Sequence, residues 1–182
     1  MSYMIPYIPS YMDVIAEKYP TLRINAAGDG SDYSTLTAVS PDVLPAKGTL
    51  DALITAKTID NVWAAIKAER DNRTQNGGSR VGNNWFHSDQ ASRTQQIALV
   101  ILGAGIPAGL MWKTMSGSFV IMTPTLAQQI FGAAVGLDQS VFMAAEIHRG
   151  RMSASSTPWS YDFSRGWPLT YDQFASGLTV AP

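Results

Sequence analysis

The 182-residue chain has no cysteine, only two histidines and only three glutamates. Without thiols there is no disulfide, no thiolate nucleophile and no cysteine-bearing zinc or iron–sulfur site. Charge of one sign is also lacking, since 13 basic residues stand against 14 acidic ones for a formal net charge of -1. Such a balance supplies no field to gather nucleic acid or anionic lipid, so no nucleic-acid partner is expected. Long hydrophobic runs are missing too. The longest, residues 97–112, is interrupted by three glycines and Pro107 and falls short of the roughly 20 apolar residues of a membrane-spanning helix. It reads as buried core, and membrane insertion is not expected. The opening residues 1–13 carry no basic cluster and are broken by Pro6 and Pro9, so they are not expected to form a signal-peptide helix.

What is present suits a folded domain: 46% of the residues are hydrophobic and 10% aromatic, enough for one real core plus a smaller appendage. Residues 1–58 hold five of the ten prolines and read as an N-terminal attachment element. In it Ser10 caps a short helix ended by Pro20, the segments around 21–24 and 33–39 form a hairpin about a glycine-rich turn, and a Pro-rich connector follows. Thr49 is expected to cap a short helix over 50–56.

Residues 59–152 read as the core domain. Ile59, Val62, Trp63, Ile66 and Arg70 recur at helical spacing, with Lys67, Glu69 and Asp71 facing away. Glycines 77 and 78 close that helix. Residues 80–89 form a hairpin around Gly82-Asn83-Asn84, and Ser88 or Asp89 caps a helix whose buried face is Ile97, Val100 and Ile101. A second hairpin turns at Ser116-Gly117-Ser118. Thr123 and Pro124 then open a long helix with Leu126, Ile130, Ala134, Leu137, Val141, Ala144 and His148 in one stripe. Residues 153–182 form a small-residue linker and an aromatic tail. The expected fold is therefore α+β: a helical core with two β-hairpins, a small N-terminal helix-plus-hairpin element and an extended aromatic C-terminal tail.

Chemistry-bearing constellations are weak. His87-Ser88-Asp89 has triad composition, but neighbours in sequence do not converge on one point, and no GxSxG nucleophile turn occurs. His148 has no second histidine at helical spacing to make a metal pair. Counted as an EF-hand loop from Asp29, the twelfth position is Ser40 rather than a bidentate glutamate. Glu17, Glu69 and Glu146 each lie on a separate predicted helix and form no glycosidase pair. Residues 77–84 are glycine-rich but lack the Lys-Ser/Thr of a phosphate loop. Lys67, Arg70, Arg73, Arg80 and Arg93 are offset by Glu69, Asp71 and Asp89 and read as a solvated face. No catalytic residue, metal site or cofactor is expected.

Three longer motifs stand in order: RDNRTQNGGSRVGNNWFHSDQASRTQQ from Arg70, IPAGLMWKTMSGSFVIMTPTLAQQIF from Ile106, and AAEIHRGRM from Ala144, followed by YDFSRGWP from Tyr161. Through them residues from about Trp63 to Trp167 resemble a domain-of-unknown-function family common in proteins of bacteriophage tail gene clusters. The resemblance implies a non-enzymatic structural component of a phage tail, associated with baseplate or tail fibre, made in the host cytoplasm and carried in the virion tail. Its partners would be other tail proteins, with homo-oligomerisation open. The alternatives are a tail-fibre assembly chaperone absent from the mature virion and a small hydrolase acting on cell-surface polymer. Trp63, Trp85, Phe86, Trp112 and Phe119 are expected to fill the core. Tyr3, Ile5, Tyr7 and Ile8 at one end, and Trp159, Tyr161, Phe163 and Trp167 at the other, are expected to make the intermolecular contacts.

Overall fold

The computed structural model describes residues 7–178. The fold is α+β, with a helical core and short antiparallel strand pairs. The chain divides into two compact units, one of residues up to Ala65 with Arg151–Asp162, the other of Ile66–Gly150 with residues from Phe163 onward.

In the first unit, helix α1 spans Tyr11–Lys18. Ser10 caps it as expected. Its hydroxyl accepts from the Asp13 N–H, and the Asp13 carboxylate accepts from the Ser10 N–H at 2.7 Å, so two orphan donors are satisfied reciprocally. Strands β1 (Ile24–Ala26) and β2 (Leu36–Ala38) pair antiparallel, Asn25 opposite Thr37. Tyr11, Val14, Ile15, Leu36 and Leu50 form the core of this unit.

Helix α2 runs unbroken over Lys47–Asn76. This corrects two expectations, the cap at Thr49 and the separation of a short helix over 50–56 from a second one starting at Ile59. The Thr49 and Leu50 N–H groups both bond the Ala46 carbonyl, so the helix has already begun before Thr49. After Pro45 the segment has no proline, and the hydroxyls of Thr55 and Thr58 donate to the Asp51 and Ile54 carbonyls four residues back. Mid-helix threonines are thereby satisfied inside the helix rather than ending it.

In the second unit the two expected hairpins are present. Strands β3 (Ser79–Val81) and β4 (Asn84–Phe86) pair with Arg80 opposite Trp85, and Gly82, at φ 59, supplies the left-handed residue of their two-residue turn. Helix α3 spans Gln90–Leu102 with Asp89 as N-cap. Strands β5 (Met111–Lys113) and β6 (Phe119–Ile121) pair with Trp112 opposite Val120. Helix α4 spans Pro124–Ala154, and the Thr123 hydroxyl accepts from the Leu126 N–H at 3.1 Å. Phe86, Leu99, Ile106, Met122, Ala127 and Ile130 make the core, with Trp112, Val120 and Leu126 packed against it. The α4 stripe is placed as its periodicity predicts: Ile130, Ala134, Val141, Ala144 and His148 are buried.

Three core expectations need correction. Phe119 is 58% exposed. Side chains alternate across a strand, so once Val120 faces inward with Trp112, Phe119 faces out. On α3 the buried positions are Gln96 and Leu99, while Ile97 and Ile101 are exposed. Polar anchors set that rotation: Gln96 Nε2 donates to the His87 carbonyl at 2.8 Å, and Arg93 forks onto Asp138 at 2.6 and 2.8 Å. Trp63 and Trp112 are half-buried rather than central, whereas Trp85 and Phe86 are buried.

The contrast between adjacent aromatics gives a direct test. Phe86→Ala should lose about 3 to 5 kcal/mol in chemical denaturation, while Phe119→Ala should stay within about 0.5 kcal/mol of the parent.

Candidate functional site

The expected contact residues separate into three groups. Tyr3 and Ile5 lie outside the described residues. Tyr7, Ile8 and Trp159 are exposed and Tyr161 is half-buried. Burial, opposed by Arg151, pushes the Tyr161 phenol above its ordinary value.

Phe163 and Trp167, by contrast, are buried, which corrects their assignment as contact residues. Residues 163–178 do not form an extended tail. They belong to the second unit and include helix α5, Tyr171–Ala175, where Thr170 and Gln173 form a capping box. Trp167 Nε1 donates to the Phe163 carbonyl at 2.7 Å, and its ring lies 4.8 Å from the His148 ring. Trp85 packs against Tyr171 and Phe174 at 6.0 and 5.6 Å.

The organiser of this region is Arg73, only 3% exposed. Its Nε donates to Glu69 at 2.6 Å, one turn back on α2, and its Nη1 donates to the Pro168 carbonyl at 2.8 Å and to Gln173 at 3.4 Å. The guanidinium also sits 5.4 Å over the Trp167 ring. Arg73 and Glu69 therefore do not belong to a solvated face, and Arg93, which the sequence also allows to satisfy carbonyls at helix ends, does so. Planar guanidinium groups suit burial where a carboxylate and carbonyls meet the fork, and Arg93 shows the same chemistry, donating to the Ser88 and Thr74 carbonyls as well as to Asp138. The sequence signal that marks Arg73 is Glu69 four residues before it; nothing local marks its partners in the C-terminal segment.

The His87-Ser88-Asp89 run does not converge. His87 is exposed, the Ser88 hydroxyl takes the Gly78 N–H and donates to the Gln75 carbonyl, and Asp89 caps α3 through Ser92. Hydrogen bonds from the Ser92 hydroxyl and N–H hold the Asp89 carboxyl below its ordinary value.

The first unit holds an open cleft of about 740 Å³, lined by Tyr7, Ile8, Tyr11, Asp13, Asp29 and Asp51 among others. Its carboxylates are already engaged. Asp13 takes the Tyr7 hydroxyl at 2.6 Å, Asp51 takes the Tyr11 hydroxyl at 2.6 Å and Lys47 at 2.8 Å, and Asp29 takes the Ser31 hydroxyl and N–H. The Tyr7 bond, then the Ser10 hydroxyl and N–H, hold the Asp13 carboxyl below its ordinary value, and the same contact pushes the Tyr7 phenol up. Each carboxylate serves a cap, a turn or an ion pair. Among the described residues no group of three or more histidines and carboxylates is placed to hold a metal ion.

The exposed surface of the second unit includes large apolar side chains. Met111, Phe119 and Ile121 project from the outer face of the β5–β6 hairpin, Ile97, Ile101 and Leu102 from α3, and Phe131, Val135, Phe142, Met143 and Ile147 from α4. Helix α4 is long and apolar enough to cross a membrane by length and composition, although its opposite face is spent on the core.

A family model described as a domain of unknown function (DUF4376) matches residues 56–165, more than half of the chain. No curated protein and no solved structure matches.

Two predictions come from this geometry. Arg73→Gln leaves Glu69 without its partner, and breaking such a buried pair costs about 3 to 5 kcal/mol. The release of Trp167 should appear as a red shift of its fluorescence and as new protease cleavage near Pro168. The second concerns acid. A carboxyl whose folded value is lowered stabilises the fold above its unfolded value of about 3.9, and that stability is lost as the pH falls through the folded value. Asp13→Asn should therefore be less stable than the parent at neutral pH and lose less stability than the parent between about pH 4 and pH 2, read by circular dichroism melts across that range.

Proposed function

The chain belongs to this domain family of unknown function, and from that membership together with its exposed apolar surface we propose that it is a non-enzymatic structural component of a bacteriophage tail. In this reading it is associated with baseplate or tail fibre and works by protein–protein contact. The observation that carries the contact role is the outer face of the second hairpin. Met111 stands opposite Ile121 and Lys113 opposite Phe119, and all four side chains are exposed. A two-stranded hairpin with one face on a core needs no apolar residue on the other, and exposed apolar patches of this kind mark interaction sites. Ile101 on α3, 79% exposed, adds to the same surface chemistry.

The phage-tail setting rests on the sequence motifs from Arg70 to Pro168. Mass spectrometry of purified particles tests it. Stoichiometric presence of the chain in the tail supports the structural role, presence only during assembly supports a tail-fibre chaperone, and absence from both sinks the reading. For the contact surface, Phe119→Ser combined with Ile121→Ser should leave the melting temperature within about 2 °C, as surface changes away from buried features do, yet abolish incorporation into particles. Normal incorporation of that folded variant would exclude the hairpin as the docking face.

A further inference from the structure

Helix α4 has two faces of different character: the inward one is buried in the core, and on the outward one the Arg70 guanidinium sits 4.7 Å over the Phe142 ring. The outward face carries two apolar ridges, Phe131, Val135 and Phe142 on one side and Met143 and Ile147 on the other, all exposed. Between and beside them lie Gln128, Gln139 and Glu146, also exposed, with Gly132 and Gly136 one turn apart. A Cβ at either glycine would meet no atom of the described residues within 4 Å, its own stretch of helix backbone apart. Glycine weakens a helix interior, and no packing inside the chain requires it at these two positions.

We propose that two copies of this chain pair through α4, antiparallel, about a twofold axis beside Gln139. A twofold interface brings the same patch together from both copies, so residue i meets j and j meets i. About Gln139 the face is its own complement. Met143, four residues after the axis, lies over Gly136 of the other copy, three before it. Glu146, seven after, lies over Gly132, seven before. Phe142, three after, lies beside Val135, four before. Each long side chain on the C-terminal half thus meets a glycine or a small aliphatic residue on the N-terminal half, and the two glycines supply the hollows.

Charge and polarity choose the orientation. Parallel pairing would set Glu146 against Glu146, a like-charge contact that disfavours it. In the antiparallel pair no acid faces an acid, and Glu146 keeps Arg149 of its own helix at 3.6 Å. The two Gln139 amides meet at the axis and can bond each other, and a single polar pair of this kind specifies register and orientation. A lipid surface offers none of this, because Gln128, Gln139 and Glu146 run down the middle of the face and would lie unpaired in hydrocarbon.

The area is sufficient. Taking about 180 Å² per large side chain, the exposed fractions of the five apolar residues amount to roughly 450 Å², and the polar residues between them bring the face to about 600 Å² per copy. About 1,200 Å² in all is the lower end of specific interfaces. A reversible, concentration-dependent dimer is the expected form.

The test uses the full chain. Sedimentation velocity from about 1 to 100 µM should show a monomer–dimer equilibrium within that range. Gly136→Gln fills the hollow with a better helix former, at a position where an added Cβ has open space in the monomer. It should weaken the dimer at least about tenfold while the melting temperature of dilute protein stays level or rises. The absence of cysteine makes cross-linking clean: Gln139→Cys should give a disulfide-linked dimer under mild oxidation, and Gln128→Cys, on the same face but far from its own copy in the antiparallel pair, should not. A parent chain monomeric at about 100 µM, undiminished pairing of Gly136→Gln, cross-linking at both cysteines, or binding of the monomer to vesicles through this face would each overturn the proposal.

Discussion

A guanidinium removed from water has to be met by acceptors on its whole rim, and in the second unit that demand falls on Arg73. Its carboxylate partner comes from its own helix, but the other acceptors, the Pro168 carbonyl and the Gln173 amide, come from a segment about a hundred residues later. The tail therefore cannot drift. Once Pro168 is held, Trp167 lies under the guanidinium and beside His148, and α5 is delivered to Trp85 and Arg80. The Gly77 carbonyl, just past the end of α2, takes the Tyr171 N–H at 2.8 Å, so the same turn that ends the helix also receives the tail. Burial of Phe163 and Trp167 follows from electrostatic satisfaction as much as from their own hydrophobicity.

Arg93 plays the same part for α3. Forked onto Asp138 and bonded to the Thr74 and Ser88 carbonyls, it ties α3 to α4 and to the end of α2. The cost is visible on the surface. With Arg93 and Gln96 turned inward, the aliphatic residues Ile97 and Ile101 are turned outward, so a polar network inside leaves an apolar patch outside. Phe119 has a simpler origin in strand alternation. Two independent mechanisms thus give this unit exposed apolar surface, and neither is an accident of composition.

Local chemistry was legible in the sequence wherever a few neighbouring residues decide the outcome. Ser10, Asp89 and Thr123 cap the helices that follow them, Gly82 turns its hairpin, and the three-and-four spacing of Ile130 through His148 marks the inward side of α4. All three hairpins were readable from turn residues between short apolar runs. What local pattern does not carry is rotation and distance. The alternation in Phe119-Val120-Ile121 defines two faces but not which is inward; that choice belongs to Trp112 across the strand. The α3 periodicity admits several rotations, and Asp138, 45 residues away, selects one. In the same way Lys67, Arg70 and Arg73 look alike as a cluster of charge, and nothing local shows that Arg73 meets the Pro168 carbonyl, 95 residues away. Of the contact candidates, the exposed Tyr7, Ile8 and Trp159 were legible as surface aromatics and aliphatics, whereas Phe163 and Trp167 depended on that distant partner.

These facts order the ways the molecule can engage others. The cleft carboxylates Asp13, Asp29 and Asp51 and the guanidinium groups of Arg73 and Arg93 are occupied by caps, turns, an ion pair and buried forks, whereas the exposed faces of α4 and of the β5–β6 hairpin are apolar, with a chemistry of shape and exclusion of water. Such faces discriminate poorly by themselves, and specificity has to come from geometry: the spacing of ridges, the hollow over a glycine, one polar group that must find its partner. On α4 these elements are arranged symmetrically about Gln139, which suits a copy of the same chain. On the β5–β6 hairpin they are not symmetric, since Lys113 interrupts Met111, Phe119 and Ile121, and that asymmetry suits a different protein. A chain with both surfaces can pair with itself through one and leave two copies of the other free, so a weak single contact at the hairpin becomes a bivalent one, strengthened by effective concentration rather than by any additional contact.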